Sequence, residues 1–349
     1  MPSIPIAVGS AEPPRLAIFV AGAGPSGCAF AITAARRGHH VTLVDEGRRR
    51  PPWTGESLPA GGGELLESVF GAGVLDGQQQ CFGSTSAWGS ADLVGHDFMA
   101  HWAGAGWYVD RTVLDGRLRH ACVAAGVTIV AGNAAEAIDG TRPERPAPDW
   151  VIDATGRAGA IAARRGARSV RVDDQIALVA NVRDTSPERV TVVESCAIGW
   201  WYSLPVPSGD RVVALLTDAD LVTGERRDFW IEQLAQSDHM QSYVDAAPQE
   251  VSAYPAGTAY RDPLVGDDWL AVGDAAVAFD PLSSQGLITG IVMAAHAAVA
   301  IDAGPQVRAD WEADYRVVLD EHLQARSAFW QAEQRWPDAP YWSRRRPQA

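Results

Sequence analysis

Residues 16–45 constrain this chain more than any other stretch. The continuous apolar run Leu16-Ala17-Ile18-Phe19-Val20 reads as a buried parallel strand. It leads into Gly22-Ala23-Gly24-Pro25-Ser26-Gly27, then a helical stretch over 28–37 stopped by Gly38, then a second strand over 40–44 ending in Asp45. Glycines in this position allow a tight turn, close approach to a pyrophosphate and close packing of helix on strand. An acid at the end of the second strand takes ribose hydroxyls. Asp45 follows Gly27 by 18 residues, and its carboxylate favours an unphosphorylated ribose, as in FAD or NAD. A glycine-rich turn in an ordinary βαβ unit is the bland alternative. Strand, helix and acid together favour the dinucleotide site. Arginines 48, 49 and 50 read as a solvated loop.

Two later stretches face the same way. Trp150-Val151-Ile152-Asp153 is a strand followed by Ala154-Thr155-Gly156, small residues that suit the neighbourhood of a nucleotide. Residues 272–287, V-G-D-A-A-V-A-F-D-P-L-S-S-Q-G-L, put Gly273-Asp274 at the end of the strand 269–272 and a Pro-Leu-Ser-Ser-Gln-Gly loop before a small-residue helix over 287–301. Free N–H groups and the positive dipole end of such a helix suit an anion or an electron-rich ring edge.

The rest of the chain implies an α/β fold: a Rossmann-type nucleotide-binding domain with an inserted antiparallel β-sheet substrate domain and a short helical C-terminus. We divide it as 15–168, with 80–105 contributing to the substrate side, then 169–262 for the inserted sheet, 263–305 for the return to the nucleotide domain, and 306–349 for the helical end. Residues 51–63 read as a mobile loop and 64–70 as a short helix. An amphipathic helix is expected over 112–125. In the insert, strands are expected at 176–182, 190–194, 200–205 and 212–217, with a hairpin turn at Pro207-Ser208-Gly209-Asp210. A helix over 226–245 and one strand over 251–260 follow. Tryptophans 88, 102 and 107 read as core filler.

Composition narrows the partners. A net charge of −14 argues against nucleic acid or an anionic membrane. No run of apolar residues is long enough to span a bilayer uninterrupted, and residues 1–14 read as a loose tail without signal-peptide features. A cytoplasmic chain is expected. The four cysteines show no C-x-x-C pattern and the eight histidines no metal spacing, so no metal site is expected. His296 reads as a packed helix residue. All 29 basic residues are arginine, so any chemistry that needs a lysine is excluded.

In order and separation, Gly22–Gly27 with Asp45, Asp153–Gly156 and Gly273-Asp274 resemble the FAD-binding fold of the flavin monooxygenases typified by p-hydroxybenzoate hydroxylase. The resemblance implies FAD, with Asp274 on the ribityl chain, Gly156 beside it, Pro281, Ser284, Gln285, Gly286 and Leu287 at the isoalloxazine, and Arg111 near the flavin. Gly55-Glu56-Ser57, Gly199-Trp200-Trp201-Tyr202-Ser203-Leu204-Pro205 and the loop 280–286 are similar to motifs of the tryptophan halogenases. Those enzymes use a lysine, a glutamate and a threonine where this chain offers no lysine, Ser283 and Gln285, and Tyr202 replaces their second motif tryptophan. Gly-Trp-Trp-Tyr-Ser, Thr217-Asp218-Ala219-Asp220, the loop 281–286, Glu333-x-Arg335-Trp336-Pro337 and the closing Trp-x-Arg-Arg look most like the maturation flavoproteins of quinone-cofactor enzymes, such as those serving lysine and glycine oxidases and quinohemoprotein amine dehydrogenase.

That resemblance implies a flavin-dependent monooxygenase. O2 would be its co-substrate, and a flavin C4a-hydroperoxide would hydroxylate an aromatic ring, a tryptophan or indole in a peptide or protein partner. Its alternatives are a hydroxylase or halogenase of a small natural-product aromatic, an isoprenoid reductase, and a non-catalytic flavin-binding chaperone. Electrons would come from NAD(P)H directly or through a flavin reductase. Backbone N–H groups at 284–287 would stabilise charge at the flavin ring edge. Glu56 is the acid/base candidate, with Ser283, Ser284 and Gln285 beside the reacting centre. Trp200, Trp201 and Tyr202 alternate along a strand and are candidates for the substrate wall, with core packing as the bland reading.

Overall fold

The computed structural model describes residues 15–47, 55–98, 104–133 and 147–346. The tail 1–14, arginines 48, 49 and 50, and Trp102 lie outside the described residues. The apolar runs of the nucleotide domain form a five-stranded sheet in the order Trp269–Ala271, Trp150–Asp153, Ala17–Ala21, His40–Asp45, Thr128–Ala131, parallel throughout. Val20, Leu43 and Ile152 in its centre are fully buried, which is why the runs do not alternate. The helix Pro25–Arg36 packs against Gly286–Ala303 and Arg111–Ala124. Small residues let the first two helices approach closely: a Cβ added at Gly290 would stand 2.7 Å from Ser26 Oγ. By length and composition Gly286–Ala303 would by itself pass as a membrane span, which tempers the expectation of none. Here its apolar side, with Ile291, Ala294 and Ala297, is core.

The second large sheet has seven strands, in the order Ser252–Pro255, Gln175–Arg183, Asp210–Asp218, Gly199–Pro205, Thr191–Cys196, Gly83–Ala87, Val94–Asp97. All its pairings are antiparallel except Thr191–Cys196 with Gly83–Ala87. Both faces are covered, which follows from the alternation of its side chains. Trp200 joins a core with Trp330, Tyr341 and Trp342 from the C-terminus. Trp201, one residue on, joins Phe229, Trp230 and Met240 under the helix Arg226–Ala235. The C-terminus itself is a 28-residue helix, Pro305–Ala332, followed by a turn and the short helix Pro340–Ser343.

Four expectations change. Gly55–Leu58 is a strand paired antiparallel with Gly106–Asp110, because its backbone groups find partners there, so the Glu56 segment is no mobile loop. The helix expected over 226–245 ends at Ala235: the Glu194 carboxylate takes the N–H groups of Asp238, His239 and Met240 at 2.6, 3.2 and 2.7 Å, offering them an alternative to helix. The strand over 251–260 is two strands, Ser252–Pro255 and Ala259–Asp262, in different sheets. The chain changes sheet at Gly257, which presses on Asp173 so closely that no side chain would fit. His296 is exposed rather than packed, since it lies on the outer side of its helix.

Candidate functional site

The site grows from the loop after the first strand. Gly22 has φ +111, and a Cβ there would run into the Ala154 carbonyl; a Cβ at Gly27 would run into the Gly22 carbonyl. Gly24 is the N-cap of Pro25–Arg36 and Pro25 its first residue, so the start of the helix is bare backbone with Ala23 buried behind it. Gly273 has φ +59 and abuts Ser26. Ser26 therefore sits between Gly273 and Gly290, so the first turn of Pro25–Arg36 packs on the second turn of Gly286–Ala303 and on the Gly273 turn. Gly156 has φ +69 in the short turn that follows Asp153.

The carboxylates divide into open and closed. Asp153 is fully buried, and its oxygens accept N–H groups from Thr155, Ile161 and Ala162. It caps local structure and is spent. Asp280 is also buried: it accepts from Leu282 N at 3.1 Å and from Arg326 Nη1 at 2.8 Å. Burial works against its charge, but His322 and Arg326 hold its pKa below the usual range. Asp45 and Asp274 are different, with side chains 30% and 48% exposed. Asp45 accepts from Gly47 N at 3.0 Å and lies 3.7 Å from Arg119; Asp274 lies 3.8 Å from Arg157.

The loop before the second helix is held from behind. Pro281 opens the turn Pro281–Ser283, capped by the Asp280 side chain; Ser283 ends it. Ser284 takes φ +51, left-handed for a non-glycine residue. Gln285 is the exposed N-cap, and Gly286 and Leu287 open the helix with unpaired N–H groups. The support comes from the long C-terminal helix: Arg326 donates to Asp280, Asp173 and Thr258, and the Tyr315 hydroxyl donates to Gly273 O at 3.4 Å.

Side chains from distant segments close the other flank. Arg111, buried at the start of its helix, ion-pairs with Glu56 and donates from Nε to Asp115 at 3.1 Å. Burial penalises its charge, but the two carboxylates raise its pKa further. Glu56 and Arg111, proposed separately from sequence, are thus one unit. On the neighbouring residue, Ser57 Oγ stands 3.1 Å from the Tyr202 hydroxyl, and Ser284 lies near enough to the same phenol to pull its pKa down. Burial pushes Tyr202 up to about 12 against the pull of the two serines, so it stays protonated. Of the three candidate wall residues only Tyr202 reaches this cluster. Trp201 points to the opposite face and packs on Trp230 at 5.3 Å between ring centroids. Trp200 donates its N–H to Tyr341 and is sealed by the C-terminus.

Sequence reasoning did not place Ser57, Asp280, Arg326 or Tyr315 in the site. Nor did it foresee what the motifs near the C-terminus do. Glu333 is fully buried and accepts from Ser195 Oγ, Gly89 N and Arg335. Burial opposes its charge, yet these bonds hold its pKa at about 2. Arg344 and Arg345 clamp Asp218 at 3.0 and 2.5 Å. Their only sequence signal was the likeness of their motifs to a family. An open cleft of about 930 Å³ runs from Asp274 and Arg157 to this Asp218–Arg344 pair.

The arrangement fits a dinucleotide flavin. Backbone without side chains occupies the place where Gly22, Gly27 and Gly273 pack, and the two partly exposed carboxylates beside it, Asp45 and Asp274, are those that would take sugar hydroxyls. Among the described residues no cluster of His, Cys, Asp and Glu could hold a metal ion.

No protein-family profile matches the chain. LodB of Marinomonas mediterranea, described as a FAD-dependent oxidoreductase, is 27% identical over 359 residues, covering 94% of this chain and 96% of that protein. Among solved structures, QhpG, a peptidyl tryptophan dihydroxylase essential for tryptophylquinone cofactor biogenesis, superposes with TM-score 0.79 at 25% identity, covering 96% of this chain and 80% of its own. The flavin-dependent halogenase CmlS superposes with TM-score 0.80 at 23% identity, covering 96% and 68%, which shows a common fold. The likeness drawn from the motifs, to flavin-dependent monooxygenases and halogenases and within them to maturation flavoproteins, holds in sequence and in fold.

Proposed function

We propose that this flavin-dependent oxidoreductase is a monooxygenase that hydroxylates an aromatic ring, a tryptophan or indole carried by a peptide or protein partner. The observation that carries the reading is the side-chain-free cradle in which Ser26 is wedged between Gly273 and Gly290, with Gly22 against Ala154 beside it. When bound there, FAD would supply the activation of O2. Residues 22–27 would hold its pyrophosphate, Asp45 the adenosine ribose, Asp274 the ribityl hydroxyls, and Gly156 would leave room beside them. The N–H groups of Gly286 and Leu287 would face the electron-rich ring edge, with Pro281, Ser284 and Gln285 shaping the loop around it. On the other flank Arg111 is shared by Glu56 and Asp115. Arg111 holds Glu56 in place by their ion pair, where Glu56 would take a proton from substrate.

The substrate class rests on the likeness to QhpG and LodB across nearly the whole chain. Halogenation fits poorly, because the chain has no lysine. Electrons from NAD(P)H would arrive directly or through a flavin reductase. The test is to load purified protein with FAD, supply each electron source in turn, and follow a tryptophan peptide by mass. A gain of one or two oxygen atoms is expected. Protein that stays colourless with FAD defeats the cofactor assignment. A chloride-dependent product defeats hydroxylation, and flavin binding without turnover on any peptide leaves a chaperone.

A further inference from the structure

The Tyr202 hydroxyl is the meeting point of three segments far apart in sequence. Ser57 comes from the short strand Gly55–Leu58, Ser284 from the left-handed turn before Gly286–Ala303, and Tyr202 from the centre of the seven-stranded sheet. Three neutral hydroxyls share three protons. The Ser57–Tyr202 bond uses one of them, and a hydroxyl oxygen accepts twice. A phenol that donates to Ser57 therefore keeps its lone pairs free for an incoming N–H. Tyr202 is half-buried, whereas Trp200 and Trp201 beside it are closed off. The charged groups at this flank are Glu56, Arg111 and Asp115, with Arg111 shared between the two carboxylates.

We propose that Tyr202 is the specificity-determining residue of this site, its phenol oxygen accepting the ring N–H of an indole and so fixing which edge of the ring faces the helix start at Gly286. This rests on the reading of the pocket as an indole hydroxylase, and it adds the atom that selects the ring. Such a bond does more than orient. When oxygen adds to an indole carbon, positive charge spreads onto the ring nitrogen and its N–H becomes a stronger donor. The bond to Tyr202 then tightens as the reaction proceeds, which is the condition for accelerating it. Ser57 is the positioning residue: its oxygen, 3.1 Å away, takes the phenol proton and leaves the phenol oxygen to accept.

The test separates this from the function itself by measuring binding. FAD-loaded protein is titrated with N-acetyltryptophanamide and with its benzothiophene analogue, in which sulfur replaces N–H at nearly the same shape, and the bound flavin spectrum reports occupancy. The wild type is expected to favour the N–H ring about 10-fold, as one hydrogen bond allows. Tyr202→Phe should reduce that preference to about 2-fold or less, with the FAD spectrum and Tm unchanged. Ser57→Ala should weaken it part-way. A wild type that does not distinguish the two rings, or binds neither, overturns the proposal, as does a Tyr202→Phe variant that keeps the full preference. If the ring preference vanishes in Tyr202→Phe yet no peptide is ever hydroxylated, the residue assignment stands and the hydroxylase reading fails.

Discussion

The glycine cradle and the hydroxyl cluster flank the same helix start, yet they are made of different material. The cradle is backbone against backbone: Gly22 on Ala154, Gly27 on Gly22, Gly273 on Ser26. Each contact exists because a side chain is missing, and no other residue fits. The cluster is side chain against side chain, from residues 57, 202 and 284, with Glu56 and Arg111 beside it. Its contacts are bonds between side-chain atoms, which other polar side chains can also make. A pocket built this way would hold a constant cofactor rigidly on one side while its other side remains free to be retuned for a substrate.

The strongest way to break this contrast is Gly22→Ala. Strain at φ +111 and collision with the Ala154 carbonyl are expected to cost on the order of 4 kcal/mol. The yellow colour of bound FAD should vanish, and retained colour with an unchanged Tm would show that the cradle is less rigid than described.

Next comes Arg326→Leu, which leaves Asp280 and Asp173 facing each other without their cation. About 3 kcal/mol is expected from denaturant unfolding, together with weakened FAD binding, since the loop before Gly286–Ala303 loses its support. A stability loss without any effect on FAD would uncouple the C-terminal helix from the site.

Glu333→Gln probes the C-terminal closure by pH. The wild-type carboxylate is lowered from 4.5 to about 2, so its contribution is complete above the unfolded value and fades as pH falls from about 5 towards 2. The variant should lose on the order of 2 kcal/mol at pH 7, with the difference shrinking to near zero at pH 2. A difference independent of pH would mean that packing, not ionisation, explains the loss. The smallest effect belongs to Asp45→Asn. The carboxylate is open and would make one sugar contact, so FAD affinity should fall about 5- to 10-fold with Tm of the apoprotein unchanged. No change in affinity would move the adenosine end away from Asp45.

Some of the site was already visible as residue order. A glycine that must be a glycine is a local statement, because φ and the nearest carbonyl are set within one strand–loop–helix unit. Four of the five parallel strands were visible too, since burial on both faces leaves an unbroken apolar run; the fifth, the half-exposed edge strand Thr128–Ala131, was not visible in this way. The same holds for the Gly273-Asp274 turn before its helix. Other outcomes were not visible. Nothing in Trp200-Trp201-Tyr202 says which face of the strand meets the C-terminus and which meets Trp230, because alternation sets opposite faces without saying what covers them.

By itself, then, the amino-acid order determined the cradle, the parallel sheet and the two open carboxylates, all products of local backbone geometry and hydrophobic runs. Only the tertiary structure decided that Tyr202 rather than Trp201 meets Ser57 and Ser284, that Glu56 is tied to Arg111, and that Arg326 and Tyr315 brace the loop before Gly286. The physical reason is range. Hydrogen bonds and ion pairs between residues 55 to 145 positions apart, such as Glu56–Arg111 and Ser57–Tyr202, depend on how whole sheets and helices stack, and they leave no periodic mark on the segments that make them.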